Sequence, residues 1–574
     1  MPAWLEKEVD EEVAARLEDA GFGRIVARCL AARGVTPETV EEYLSPSLRG
    51  LAPAECLPGV EDAARIVLQA VRERRRIVVF GDYDCDGICA TAILLKSLSA
   101  LGADVAAFIP DRLKEGYGMS AASVARMLSA NPGVSLVVTV DNGIGSADLV
   151  SELEGKGITV VVTDHHLPGE AIPRCTVVNP KLEGTPPELS DLCGAGVAFM
   201  LAKTIVSQAR ASGLYAGPNV AGPLVVLAGL ATVTDIMPLT GQNRILVFEG
   251  LRLFSKYAPP GLLELLGKAA RTPDIQAKDF GFALGPRINA TGRMASAMEA
   301  LRLVMAEDRE QARRLAVQVD MRNGERRAVE LAMTEKAYSM LVPGAPVQII
   351  DLEEGQGHLG VVGIVAARIL ERLKTEGVAV PVCVAVNGHG SARAPEGYNI
   401  RDALAVASEA LTSYGGHAAA GGYTVAEGCA GRFRELLGAA CAAQAGASSD
   451  GAERPLRFDA WVEPSEITMD LVESLSRMEP FGEGNPEPMF AVRNVVLTDV
   501  RPVGEKGRHA RLSSRSCPDA IWWHRGGKVE EIRAASHTPF DIVFTPFIST
   551  YGENHVELRV WDVRKSDGQP FEKN

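Results

Sequence analysis

Asp82, Asp84 and Asp86 stand at alternate positions in RIVVFGDYDCDG (Arg76 to Gly87), directly after the apolar run Ile77 to Phe80. That run reads as a buried strand, and three carboxylates gathered at its end ask for a cation. Two further stretches repeat the arrangement: SLVVTVDNG puts Asp141 after a Val-rich run, and ITVVVTDHH puts Asp164, His165 and His166 after another. A fourth, PLVVLAGLATVTDIMPL, has Asp235 after an apolar run and before Pro238. Carboxylates plus one imidazole, with no thiolate, form a hard, oxygen-rich set that suits Mn²⁺ or Mg²⁺ better than Zn²⁺. Five or six ligands exceed what one such ion takes from protein alone. Two ions bridged by a shared carboxylate use them all, and such pairs activate water and steady the leaving oxygen in phosphoester cleavage. Asp141, from the middle strand end, is the candidate bridge.

Taken singly, a D-x-D pattern is more often a solvated turn or helix cap than a ligand pair. DHH after a Val-rich strand carries more weight, because Asp and His have no packing reason to be adjacent there. Together, at four consecutive strand ends of one parallel sheet, these groups are best explained by metal binding. Phosphate handling has its own candidates. GPRINATGRM (Gly285 to Met294) reads as a loop carrying Arg287, Arg293 and Asn289, and a guanidinium offers a planar fork of donors to phosphate oxygens. A salt bridge at the start of the following helix is the equally good local alternative. His389, Ser391 and Arg393 lie in the glycine-flanked GHGSARAPEG, where small residues let a phosphate approach backbone amides, and His417 lies in the similar YGGHAAAGGY.

The elements that must position these groups alternate in type. Residues 1–60 read as a helical lead-in. Residues 61–294 alternate helical stretches with strands, the pattern of β-α units on a mostly parallel sheet, whose carboxyl-terminal strand ends share one edge. Residues 295–341 read as a long, charged connecting helix, with Asn323-Gly324 as a candidate break. A smaller α/β domain over 342–438 and an Ala/Gly/Ser-rich linker over 439–455 follow. Residues 456–574 switch to short strands, the pattern of a small β-barrel or sandwich, and hold four of the five tryptophans, Trp461, Trp522, Trp523 and Trp561.

Bulk properties set the limits. A chain of 574 residues, 47% apolar, can bury several cores. The ten cysteines form no C-x-x-C pair, which favours reduced, mostly buried thiols over zinc or disulfides. A net charge of −14 argues against a DNA-coating protein but leaves room for a nucleic-acid enzyme with a local basic track. No apolar run approaches the ~18 residues of a membrane span, and MPAWLEKEVDEEVAARL has no secretory apolar core, so a cytoplasmic location without membrane contact is expected.

The set GDYDCDG, TVDNGI, TDHH, ATVTDIMPL and RINATGRM, followed by HLGVVGIVAARI, GSAR and GGHAAAGG, resembles the DHH phosphoesterase superfamily with its DHHA1 companion domain. Within that superfamily it is similar to the exonucleases specific for single-stranded DNA that degrade from the 5′ end. The resemblance runs from about residue 45 to 560, and PFGEGNPEPMF (Pro480 to Phe490) matches the opening of their OB-fold part. It implies a parallel-sheet DHH domain, a long helix, a DHHA1 domain and a C-terminal OB-like barrel. It implies two Mn²⁺ or Mg²⁺ ions held by Asp84 and Asp86, with Asp82 assisting, by Asp141 as bridge, and by His165 and Asp235. His166 then faces the scissile phosphate, Asn289 and Arg293 bind substrate phosphate, and Ser391, Arg393 and Arg112 receive the 5′ terminal phosphate, while Asp164 anchors its loop. Nucleoside 5′-monophosphate release, a role in DNA repair and recombination, a monomeric state, and partnership with a single-strand binding protein and a helicase come with it. Departures are the EGQG run where a tryptophan is common, Ala394 for serine and Asn399 for histidine, none at a ligand position. The alternatives are a small-substrate phosphoesterase acting on oligonucleotides, cyclic dinucleotides or bisphosphate nucleotides, which usually stops after DHHA1, and a non-catalytic scaffold, which loses ligands that are all present here.

Overall fold

Runs of Val, Ile and Thr bounded by Gly, Pro and Asp form the strands, as β-branched residues do on a pleated surface. The computed structural model describes residues 3–116, 118–220, 222–267, 275–447, 455–535, 538–549 and 553–566. They fall into two units, one of residues 52–237 and 249–451, the other of residues 1–51, 238–248 and 452–574. Among the described residues no helix is long and apolar enough to cross a membrane.

The first unit contains β1 (Arg76–Phe80), β2 (Val105–Phe108), β3 (Val134–Val140), β4 (Thr159–Thr163) and β5 (Thr176–Val178). They form one sheet in the order β2-β1-β3-β4-β5, every pair parallel. Val78, Val137, Val160 and Val162 are buried, as expected of a parallel sheet covered on both faces. The chain leaves β1 for one side of the sheet and returns to the other side at β3. This reversal opens a crevice beyond the carboxyl ends of β1 and β3, where open α/β sheets bind their ligands. The expected strand-end cluster follows directly: Asp82, Asp84 and Asp86 come after β1, and Asp141 after β3.

Several helices differ from the sequence expectation. α1 (Cys85–Ala100) begins within the GDYDCDG string, so Asp84 is its N-cap and Cys85 its first residue. Cys85 is buried at the start of this helix. α2 (Gly194–Ala211) and α3 (Val225–Thr234) follow. Asp235 therefore caps the C-terminus of a helix rather than ending a strand. An apolar run buried nearly all round cannot be told from a strand by periodicity, and α3 packs against α1 and α2. α4 (Gly285–Met294) is a helix where a loop is expected. It continues a π-helical turn at Phe280–Leu284, with Pro286 at the junction of the two. Gly292 lets it close on Tyr83, whose carbonyl oxygen would lie 2.8 Å from an added Cβ.

The expected single connecting helix over 295–341 is two, α5 (Met298–Met305) and α6 (Arg309–Tyr338), with Asp308 capping the second through Gln311 N at 2.7 Å. Asn323-Gly324 does not interrupt α6. Asn323 is buried and accepts from Arg326 at 2.7 Å, and such packing outweighs the ~1 kcal/mol cost of glycine within a helix. β6 (Gln348–Leu352), α7 (Val362–Thr375), β7 (Val382–Val386), β8 (His389–Arg393), β9 (Leu411–Gly416), β10 (Ala420–Val425) and α8 (Ala430–Ala447) follow in this unit. The sheet runs β9-β10-β8-β7-β6, with only β6 and β7 parallel. α8 occupies 439–447, where a linker is expected, because alanine is the best helix former; residues 448–454 of that linker lie outside the described residues.

In the second unit, residues 1–51 are not a free-standing lead-in. Their short helices bury Leu17, Ile25, Val26 and Leu30 in one apolar cluster with Val462, Leu475, Phe490 and Phe544, since helices this short hold their shape only by packing. Trp4–Glu6 pairs in parallel with Leu456–Phe458. The C-terminal strands form a seven-stranded mixed sheet, the β architecture that the sequence leads one to expect there.

Candidate active site

Four elements bring the acidic residues together. His165, just after β4, places Nε2 3.1 Å from Asp141 Oδ1 and 3.7 Å from both Asp86 Oδ2 and Asp235 Oδ2. Potential ligand atoms lie within 4.8 Å of one another in each of three sets: Asp82, Asp84 and Asp141; Asp86, His165 and Asp235; Asp141, His165 and His166. Asp141 belongs to two of these three sets, one with Asp82 and Asp84 and one with His165 and His166. Its φ of 60° is strained for a non-glycine residue. The turn is held by Asn142, whose Nδ2 donates to Val140 O at 2.8 Å and Phe80 O at 3.2 Å. Both oxygens of Asp86 accept from the first turn of α2, at Gly194 N and Ala195 N, each 2.7 Å away.

The electrostatics of the cluster favour a bound cation. Burial, then repulsion from Asp84, pushes Asp82 up to about 7; burial, then Asp86 and Asp84, pushes Asp235 up to about 8. Burial, then the surrounding carboxylates, also raises Asp141 well above the carboxylate range, and burial lowers His165. Asp82 Oδ1 and Asp141 Oδ1 are buried without a hydrogen bond. Such orphaned oxygens are costly unless a cation meets them, so this donor set fits hard divalent ions.

Asp164 is spent differently. It accepts from Ile144 N at 2.9 Å, His165 N at 2.8 Å, His166 N at 3.2 Å and His166 Nδ1 at 2.7 Å. Burial would raise its pKa, but the His166 contact and the backbone donors outweigh this and hold it low. In return, that hydrogen bond pushes His166 up to about 9. His166 is therefore a half-exposed imidazolium at neutral pH beside the carboxylate cluster.

A cleft of about 1190 Å³ collects the phosphate candidates: Arg112, Arg293, His389, Ser391, Arg393 and His417 all line it. Arg112 lies over the Tyr83 ring, 4.6 Å from its centroid. Arg293 donates to Gly360 O at 3.2 Å, and Arg393 to Ser391 Oγ at 2.8 Å. Asn289 Oδ1 accepts from Cys85 N at 2.6 Å, tying α4 to the start of α1. Arg287 is not brought to the cleft; it pairs with Asp320 at 2.7 Å and donates to Ala283 O. Three residues that the sequence does not single out complete the site. Tyr83 lines the cleft beneath Arg112. Gly194 abuts Asp141, where an added Cβ would lie 2.6 Å from the Asp141 Cβ. Gly363, in the first turn of α7, leaves room for Ser391 and Arg393, which lie 3.1 and 2.9 Å from the place of its missing Cβ. That helix start lies beside Ser391 and Arg393 and turns the positive end of the helix dipole toward them.

Residues 76–225 match the DHH family, N-terminal domain, and residues 458–562 match the RecJ OB domain. The single-stranded-DNA-specific exonuclease RecJ of Dickeya dadantii (strain 3937) is 36% identical over 506 residues, spanning 85% of this chain and 86% of the relative. The exonuclease of that name from Thermus thermophilus is 37% identical over 501 residues, spanning 86% and 71%. A crystal structure of RecJ from Thermus thermophilus in complex with Mn²⁺ aligns with a TM-score of 0.81 at 32% identity, over 99% of this chain and 80% of that one.

Proposed function

The chain belongs to the RecJ family of exonucleases, and from this premise we propose that it hydrolyses single-stranded DNA from the 5′ end, releasing nucleoside 5′-monophosphates. The observation that carries the reading is the convergence of Asp82, Asp84, Asp86, Asp141, His165 and Asp235 beside a cleft lined by arginines. These six residues would hold two Mn²⁺ or Mg²⁺ ions, with Asp141 shared. Such ions, when bound, supply Lewis acidity and an activated water for in-line attack on the phosphodiester. His166, kept protonated by Asp164, donates to a non-bridging oxygen of the scissile phosphate. Arg293 and Asn289 orient that phosphate. Ser391, Arg393 and Arg112, with the first turn of α7, hold the 5′ terminal phosphate, and His389 and His417 flank it. Residues 61–294 thus supply the metal ligands and Arg112, and 342–438 the rest of the terminal-phosphate pocket, joined through 295–341. Residues 456–574 add the sequence-tolerant base stacking of an OB-type domain. The enzyme works as a cytoplasmic monomer in DNA repair and recombination, on strands exposed by a helicase and held by a single-strand binding protein.

The test compares labelled single-stranded and fully duplex DNA in Mn²⁺ with wild type and Asp141→Ala. Selective degradation of the single strand, abolished in the variant, is expected. Equal cleavage of both substrates, or turnover of a dinucleotide with none of a longer strand, would overturn the reading.

A further inference from the structure

A second cavity, of about 190 Å³, adjoins the cleft and shares Arg293 and Ile364 with it. Thr234, Gly281, Asn289 and Arg326 are among its other lining residues, and among the described residues no carboxylate lines it. None of the terminal-phosphate residues Ser391, Arg393 and Arg112 reaches it. Arg326 is largely buried and held in place, pairing with Glu330 and donating to Asn323 Oδ1 at 2.7 Å. Glu330 also accepts from Arg368 at 3.1 Å, so two guanidiniums share one carboxylate and the neighbourhood keeps positive charge. The cavity is smaller than the ~300 Å³ of a typical small-molecule pocket and suits a phosphate with part of its sugar.

Two exposed apolar residues are near neighbours in the chain of its lining residues Thr234 and Gly281. Ile236, two residues past Thr234, is 71% exposed, and its φ of 57° is an outlier for a β-branched residue. Phe282, next to Gly281 in the π-helical turn, is 81% exposed. Strain of this kind, held against a β-branched side chain directly after Asp235, points to use at a working site. Exposed apolar side chains beside a phosphate-binding cavity suit the faces of unpaired bases.

We propose that this cavity and its apolar lip are a second substrate subsite, where Arg326 takes the next internucleotide phosphate on the 3′ side of the scissile bond and Ile236 and Phe282 contact the base that follows that phosphate. The assignment rests on the DNA reading above. With the strand's 5′ end in the cleft and the scissile phosphate at Arg293 and Asn289, the remainder of the strand must leave by another path. The adjoining cavity is basic, shares Arg293 and lacks the terminal-phosphate residues.

The test uses 5′-phosphorylated thymidine di- and trinucleotides with Mn²⁺, because only the trinucleotide carries a phosphate 3′ to its first scissile bond. Arg326→Ala is expected to lower the ratio of trinucleotide to dinucleotide kcat/KM by about tenfold, the loss of one charge-assisted contact. Phe282→Ala, at an exposed position, should lower the same ratio, and it decides the case should Arg326→Ala fail to fold. Equal losses on both substrates, or an unchanged ratio, overturn the subsite while leaving the parent reading intact. Wild-type protein inert on these substrates and on longer single strands overturns both.

Discussion

Gly194→Ala tests whether the acidic cluster depends on the close seating of α2 against Asp141. The added methyl would stand 2.6 Å from Asp141 Cβ, 2.8 Å from Oδ1 and 2.9 Å from Cγ. Reaching an ordinary contact of 3.4 Å requires a shift of about 0.8 Å. Asp141 has little freedom to make it, because Asn142 pins its turn to β1 and β3. Moving α2 instead pulls Gly194 N and Ala195 N from Asp86, so either response displaces a ligand. A displacement near 1 Å in a positioned site costs on the order of 10²-fold in rate, and overpacking a core costs about 1–3 kcal/mol of stability. The assay is Mn²⁺-dependent release of mononucleotides from a single-stranded oligonucleotide, with thermal unfolding run in parallel. Activity within about threefold of wild type in a folded variant would refute the reasoning.

Other expectations follow from the same geometry. In metal-free protein Asp82 and Asp235 hold protons up to about 7 and 8, so Mn²⁺ must displace them, and its affinity should climb as pH rises through this range; calorimetry in two buffers should detect proton release, and its absence would contradict the assignment. Because these folded-state values lie above the ordinary carboxylate value, the native state binds more protons. The metal-free protein should therefore lose stability as pH rises from 4 toward 8, and Mn²⁺ should restore it. Asp164→Asn keeps an acceptor oxygen but removes the negative charge that helps push His166 up to about 9, so the imidazolium should be lost nearer its ordinary pH of about 6.5, and activity should fall between about pH 6 and 7.5, where wild type holds it; histidine NMR titration checks the shift. Arg393→Ala should reduce cleavage of a 5′-phosphorylated strand about tenfold more than that of a 5′-hydroxyl strand, and equal loss on both would remove Arg393 from the terminal-phosphate pocket.

GDYDCDG, TVDNG and TDHH are legible because each couples a local strand pattern to residues that have no packing reason to end it. Parallel strands then bring them to one edge. Asp235 is legible as a residue but not as an element, because the ten residues before it are apolar or small on every side and carry no periodicity. GPRINATGRM misleads for a related reason: its Gly, Pro and Asn are turn formers in isolation, but Gly292 and Asn289 answer to Tyr83 and Cys85, about 200 positions away in the chain. Gly194, Gly363 and Tyr83 matter only through contacts that folding creates. Arg287 matches the phosphate chemistry of Arg293 in type, but its position on α4 directs it to Asp320.

The most direct measurement is a time course of digestion of one single-stranded oligonucleotide, labelled in separate reactions at the 5′ and the 3′ end, by the full chain in Mn²⁺. A terminal-phosphate pocket beside the acidic cluster predicts that the 5′ label appears at once as a mononucleotide, while the 3′ label stays in progressively shorter strands. The reverse order, or internal fragments from both labels at the earliest times, would contradict the account.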